Sequence, residues 1–362
     1  KIKKIKKNFK LRASYRNIDT CAAEFSSMTP YMYSSWDCND QNNPHEKETN
    51  ITNKKKVIII GGGPNRIGQG IEFDYCCVHS SFAIRELNIE SIMVNCNPET
   101  VSTDYDISDR LYFEPLDLES VLEICRSENS NNNLLGVIVQ LGGQTPLKLS
   151  EKLNSEGIKI LGTSFKSIDL CEDRNRFSNL MNQLKINQPK SDIVFNLTEA
   201  ISSVKKISYP IVIRPSYVLG GRAMRIINNQ NELKNYFESN FIINNKAILI
   251  DEFLIDAKEI DVDAISDGSE IFIAGILEHI EQAGVHSGDS ACILPPQTLS
   301  IKLVKKIEEI TKSICKSLKI IGFINIQFAI KDDKVFVIEV NPRASRTIPF
   351  ISKAIGVPLA NL

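Results

Sequence analysis

Three things are missing from this sequence, and each absence removes a class of protein. No stretch approaches the ~20 consecutive apolar residues that a helix needs to cross a bilayer, so no membrane partner is expected. With 43 Lys and Arg against 44 Asp and Glu, the net charge of −1 lacks the cationic surplus of a nucleic-acid binder. The nine cysteines are odd in number and contain no C-x-x-C pair, and Cys76 and Cys77 are adjacent, so reduced thiols in a cytoplasmic protein are expected. The basic start, Lys1-Ile2-Lys3-Lys4, has no apolar core behind it and does not read as a secretory signal. The four histidines (His45, His79, His279, His286) are scattered, without the spacing of a zinc site or a Cys–His nucleophile pair.

What is present is enough apolar material, 42% of 362 residues, for two or three cores. Residues 1–53 read as the end of a preceding domain and a linker. From Val57-Ile58-Ile59-Ile60 strands and helices alternate through residue 168, which predicts a parallel sheet with helices on both faces. Near Glu172 the pattern changes, and after Pro210 strands dominate. Residues 169–362 are therefore expected to form an α+β domain, rich in antiparallel strands, with a lid over about 208–255. A helix over 301–318 precedes the last strands.

Those last strands carry the strongest chemical signal. Ile324 to Ile330 and Val335 to Asn341 both alternate, with Lys331-Asp332-Asp333-Lys334 as the connection. Side chains two apart share a face, so Glu339 and Asn341 project together, and a three-residue loop would put Gln327 opposite Glu339. One carboxylate and two amides on one face suit Mg²⁺ or Mn²⁺ carrying nucleotide phosphates. Arg343 and Arg346 follow with forked donors for phosphate oxygens.

Other segments are more ambiguous. Gly61-Gly62-Gly63-Pro64-Asn65-Arg66-Ile67-Gly68 follows a strand, yet its spacing fits neither a dinucleotide fingerprint nor a P-loop. It reads either as a tight turn or as a loop whose N–H groups face an anion at a helix start. Arg214 ends a strand that leads into Gly220-Gly221, which suits a lid over phosphates as well as an ordinary hairpin. The main chain around Glu252 to Leu254 could hold an adenine and Glu259 a ribose, although Glu259-Ile260-Asp261-Val262-Asp263 by itself reads as a charged outer strand face. The loop from Glu278 through Gly284, Val285, His286 and Ser287 is dense in polar and small residues, as active-site loops are.

Several long segments together resemble one family: Gly61 to Cys77 (GGGPNRIGQGIEFDYCC), Met93 to Asp109, Val139 to Leu147 (VQLGGQTPL), Arg214 to Met224, His279 to Ser290 and Glu339 to Arg346 (EVNPRASR). They are similar to the large subunit of carbamoyl phosphate synthetases, in its second ATP-grasp half. The resemblance implies a Rossmann-like pre-ATP-grasp domain followed by an ATP-grasp domain, with residues 1–53 closing an oligomerisation domain. It implies that ATP phosphorylates carbamate to carbamoyl phosphate, within a synthesis from bicarbonate, ammonia and two ATP that serves pyrimidine or arginine biosynthesis. Arg174, Arg214, Gly220, Gly221, Glu252, Leu254, Glu259 and Gly284 to Ser287 would line the nucleotide. Gln327, Glu339 and Asn341 would hold two Mg²⁺ or Mn²⁺ ions, and Arg214, His286, Arg343 and Arg346 would act on the transferring group. A glutaminase subunit or domain and the first synthetase half are the implied partners. Two other readings remain: another carboxylate–amine or biotin-dependent ATP-grasp ligase, and a non-catalytic nucleotide-binding half serving assembly or ammonia channelling. Glu252 stands where some members of the family have His.

Overall fold

The structure, a computed structural model, describes residues 12–27, 29–36, 48–49, 51–66, 70–215, 225–239, 247–285 and 289–362. Its first part is a seven-stranded sheet. The elements run β1 (Ser14–Asn17), β2 (Tyr31–Ser35), β3 (Lys56–Ile60), α1 (Glu72–Glu86), β4 (Glu90–Asn95), β5 (Arg110–Phe113), α2 (Leu118–Glu128), β6 (Leu134–Ile138), α3 (Gln144–Leu147), α4 (Ser150–Ser155) and β7 (Ile160–Leu161). The strand order is β1-β2-β5-β4-β3-β6-β7, and all neighbours are parallel except β1 with β2. β1 and β2, expected to belong to the close of a preceding domain, thus run as a ribbon along one edge of this sheet.

Every residue of β3 and β4 is buried, as a parallel sheet covered on both faces requires. Ile58, Ile60, Ile92 and Val94 pack with Val121, Ile124 and Cys125 of α2, whereas Ile59 and Met93 face Phe73, Cys76 and Cys77 of α1. The base of the sheet holds a buried charge network. Arg110 donates from Nε to Glu128 Oε1 at 2.8 Å and from Nη2 to Glu90 Oε2 at 2.8 Å, while Lys56 Nζ lies 3.4 Å from Glu128. Lys56 and Glu128 have wholly buried side chains.

The second part continues with α5 (Phe165–Glu172), α6 (Arg174–Gln183), β8 (Ser191–Val194), α7 (Leu197–Ile207), β9 (Ile211–Pro215), β10 (Arg225–Ile227), α8 (Gln230–Ser239) and β11 (Ile248–Glu252). Strands β8 to β11 form an antiparallel sheet in the order β10-β9-β11-β8. This small sheet starts at Ser191, ahead of the expected residue 208, because β8 pairs with β11. Next come β12 (Lys258–Ser266), β13 (Ile271–His279), β14 (Cys292–Ile293), α9 (Ile301–Leu318), β15 (Gly322–Lys331), β16 (Lys334–Asn341) and α10 (Ile348–Ile355). They build a five-stranded antiparallel sheet, β14-β13-β12-β15-β16, with α9 against one face. Ser300 caps α9, accepting from the Leu303 N–H, and left-handed Lys319 ends it. The two parts share one apolar cluster, in which Phe73 and Cys76 meet Leu277, Phe323, Ala344 and Ile351. Among the described residues no helix is long and apolar enough to cross a membrane.

Candidate active site

The open face of the five-stranded sheet forms the floor of a cleft of roughly 1750 Å³, with the small sheet above and the carboxyl ends of the parallel strands at one end. Its central rows are set by strand register. Asp261 of β12 pairs with Gln327 of β15, which pairs with Glu339 of β16; one step along, Asp263 pairs with Asn325 and Asn325 with Asn341. Gln327 and Glu339 therefore face each other as expected, but the turn that achieves it differs. The connection is a two-residue turn at Asp332 and Asp333, both left-handed (φ 49° and 56°), and Lys331 pairs with Lys334. From that turn alone, Glu339 would fall opposite Ile326 and point to the core with Val335 and Val337. A bulge corrects the parity: Phe328 pairs with Val337, and the next pair is Gln327 with Glu339. The extra residue, Ile338, is exposed on the cleft beside Glu339, while Val340 returns to the core.

Strand β12 is not the solvent-facing edge that its charge pattern suggested. Asp261 and Asp263 are 5% and 0% exposed, because β12 lies between β13 and β15 and its polar face is the cleft floor. Burial pushes the Asp263 carboxyl up to about 6, against the pull of hydrogen bonds from Thr347 and from Asn325 Nδ2 (3.0 Å). His279 Nε2 sits 3.2 Å from Asp261 Oδ2 and its Nδ1 is 3.9 Å from Glu259. Burial would depress this imidazole, but hydrogen bonding to Asp261 outweighs it and lifts the pKa to about 10, so a buried cation underlies the carboxylates. Glu259 accepts the Gly284 N–H at 2.8 Å, and burial raises its carboxyl.

Arginines close the other walls. Asp251 holds two of them: Arg214 donates from Nε at 3.0 Å, and Arg174 Nη1 lies 3.5 Å away. Arg343 donates from Nε to Gln144 Oε1 at 3.1 Å, from Nη1 to the Ala344 carbonyl at 2.9 Å and from Nη2 to Asn341 Oδ1 at 3.3 Å. Its guanidinium stacks over Phe73 at 5.3 Å, and burial lowers its pKa. Glu252 accepts the Lys190 N–H at 3.1 Å, which fixes the strand edge leading to Leu254.

Arg174, Arg214, Glu252, Leu254, Glu259, Gly284, Val285, Gln327, Glu339, Asn341, Arg343 and Arg346 all line this one cleft. Gly220, Gly221, His286 and Ser287 lie outside the described residues. The oxygen donors Gln327, Glu339 and Asn341 on a shared face fit a hard divalent cation, with Asp261 behind them. Sequence reasoning missed Asp251, Asp261, Asp263, His279, Asn325 and Gln144. The alternation of three acids with Ile260 and Val262 was the available signal for two of them.

Known proteins bear on this geometry. A family model described as the carbamoyl phosphate synthase preATP-grasp domain matches residues 53–170, and one described as the carbamoyl-phosphate synthase L chain, ATP binding domain, matches residues 173–362. The chain is 54% identical over 363 residues to the carbamoyl phosphate synthase large chain of Acidobacterium capsulatum and 53% identical over 362 residues to that of Archaeoglobus fulgidus. Each match covers 100% of this chain and 33% of the relative, so the chain spans about a third of the length of the curated relatives it matches. Among solved structures, it is similar to the biotin carboxylase domain of Hydrogenobacter thermophilus 2-oxoglutarate carboxylase in complex with MgADP, ADP and bicarbonate. The TM-score is 0.65 at 19% identity, covering 85% of this chain and 68% of that one. For the L-amino acid ligase from Bacillus licheniformis the TM-score is 0.63 at 18% identity, covering 85% and 72%. At such identities the likeness shows the fold, a pre-ATP-grasp domain followed by an ATP-grasp domain.

Proposed function

The chain belongs to the carbamoyl phosphate synthase large-chain family, and on that premise we propose that its cleft transfers the γ-phosphoryl group of ATP to carbamate, giving carbamoyl phosphate and ADP. One observation carries this reading: Gln327, Glu339 and Asn341 share a single cleft with Arg174, Arg214, Arg343, Arg346 and the described nucleotide-site candidates.

Phosphoryl transfer needs little covalent chemistry from a protein. It needs the acceptor oxygen held in line with the leaving oxygen, and compensation for the negative charge on the equatorial oxygens. Gln327, Glu339 and Asn341 would hold Mg²⁺ or Mn²⁺, two ions by family resemblance. Bound there, the metal supplies charge neutralisation at the phosphate oxygens. Arg214 and Arg174, both oriented by Asp251, stand where they can meet the phosphates. Arg343, bonded to Asn341, and Arg346, on the same cleft, would meet the acceptor and the transferring group. With bonds to Gln144, Ala344 and Asn341, Arg343 is fixed before any ligand arrives, so it loses little entropy on binding one. Glu259 would take the ribose hydroxyls and the chain from Glu252 to Leu254 the adenine edge. Gly220, Gly221, His286 and Ser287 keep the roles that the resemblance gave them.

In the same reading the nitrogen comes from ammonia released by a glutaminase subunit or domain, carbamate comes from bicarbonate through the first synthetase half, and the whole works in the cytoplasm. The test is synthesis of ATP from ADP and carbamoyl phosphate by the full-length chain with its partner. Glu339→Gln is expected to abolish most of that activity. Activity equal to the unmodified enzyme would overturn the assignment.

A further inference from the structure

The segment Val139-Gln140-Leu141-Gly142-Gly143-Gln144 lies just past the carboxyl end of β6, in the parallel sheet, and only its last residue, a hydrogen-bond partner of Arg343, has entered the account above. Its contacts nevertheless run to the most sensitive stretch of the other domain. Gln140, 3% exposed, donates from Nε2 to the Pro342 carbonyl at 2.8 Å, and its main-chain carbonyl accepts the Ala344 N–H at 2.9 Å. Its Oε1 accepts the Thr163 N–H at 2.9 Å, so both ends of the amide are engaged and the side chain has one orientation. Four residues on, Gln144 Oε1 accepts from Arg343 Nε at 3.1 Å, while its Nε2 donates to Glu172 at 2.6 Å.

Asn341-Pro342-Arg343-Ala344 is therefore gripped at three points from the neighbouring domain: the Pro342 carbonyl, the Arg343 side chain and the Ala344 N–H. The bracket itself has no room to shift. A Cβ on Gly142 would stand 2.4 Å from the Gly61 carbonyl carbon, and one on Gly162, whose φ is +89°, would stand 2.2 Å from Gln140 Oε1. The grip reaches the cleft through Arg343 Nη2, 3.3 Å from Asn341 Oδ1.

We propose that Gln140 and Gln144 are positioning residues, through which the parallel-sheet domain sets the working geometry of Asn341 and Arg343. This rests on the phosphoryl-transfer reading of the cleft and extends it: the two domains form one catalytic unit, and the first is more than a platform. Neither glutamine touches the reacting atoms. Each acts through the segment that carries them.

The test uses the full-length chain with its partner. Gln140→Met keeps the volume and removes both hydrogen bonds. It is expected to lower kcat for ATP synthesis from ADP and carbamoyl phosphate by roughly ten- to a hundred-fold, as misplacement by about 1 Å does elsewhere, with KM for ADP within about three-fold. Gln144→Leu is expected to do the same more weakly. Gln144→Glu combined with Glu172→Gln, which keeps an acceptor for Arg343 and a donor–acceptor pair at the Glu172 contact, should retain more kcat than Gln144→Leu. Since Gln144 is half-buried, that pair decides the matter if Gln140→Met does not fold. Hydrogen exchange without nucleotide gives a second readout: amides of 341–347 should exchange faster in Gln140→Met while those in β15 do not. Unchanged kcat with unchanged exchange would overturn the proposal. So would an equal loss of kcat in Thr163→Val, which removes only bonds to Ile321 at the same boundary. An unmodified enzyme that makes no ATP removes the proposed reaction instead, and exchange alone then decides on Gln140.

Discussion

Two clusters of charge, one on the parallel sheet and one on the five-stranded sheet, are built on different accounting. At the base of the parallel sheet, Lys56 and Arg110 meet Glu90 and Glu128, two cations with two anions. On the cleft floor, Glu259 and Asp261 flank one buried imidazolium, His279, while Asp263 on β12 and the more exposed Glu339 on β16 lie farther along the same face and the arginines stand on the walls. The first cluster is closed: its charges balance, its donors and acceptors meet each other, and its role is to hold strand ends. The second is open, and only something brought in from outside completes it. A nucleotide with its metal ions is such a completion. The lesson is that buried charge alone marks no site; imbalance on a shared face does.

The largest effect should come from unbalancing the closed cluster. Glu128→Gln leaves Arg110 and Lys56 buried with only the Glu90 carboxylate between them and should cost about 3–5 kcal/mol in denaturant unfolding. The protein that remains folded should bind Mg·ADP as before; weakened binding would mean that the two clusters are coupled.

The open cluster should respond the other way. Glu339→Gln should reduce phosphoryl transfer by roughly a hundred-fold or more. Its side chain is exposed, so unfolding free energy should move by no more than about 0.5 kcal/mol. A large loss of stability would show that the cleft floor is self-supporting in the way the base is.

pH separates the clusters by sign. Burial would raise the Glu90 carboxyl, but its bond from Arg110 prevails and holds it below its usual range. A depressed acid contributes stability above its unfolded pKa, and that contribution is lost as pH falls through the folded value. Asp263 is the reverse: raised to about 6, it contributes stability in acid that is lost as pH rises through about 6. Comparing wild type with Asp263→Asn at pH 5 and pH 7.5, the wild type should lose about 1.4 kcal/mol more than the variant over that interval. Equal slopes would refute the assignment.

The smallest expected effect lies in the hairpin that carries Glu339. Asp333 is left-handed at φ 56°, so Asp333→Gly should stabilise the fold by about 0.5 kcal/mol, seen as a small rise in the urea midpoint. A fall would show that the aspartate side chain holds the turn.

Local pattern made much of this legible. The helix expected over 301–318 is α9 to the residue, because its apolar stripe, serine cap and polar faces all agree. β5 was not anticipated, since it is four residues long and opens on an arginine whose charge is balanced by distant glutamates. In the site, Gln327, Glu339, Asn341 and Arg343 could be read from two strands close in sequence. Asp251, Asp263 and Gln144 could not, because each matters through a partner on another element.

The sequence by itself settled which residues carry oxygen and nitrogen donors, that two alternating runs near the end form a hairpin, and that a parallel sheet comes first, because these depend on propensity and on a period of two or of 3.6. Only the tertiary structure decided that a one-residue bulge turns Glu339 to the cleft, that β12 is central, and that Gln140 reaches Pro342 from 202 positions away. Those outcomes depend on which strands lie side by side, and pairing between distant strands leaves no local trace in either one.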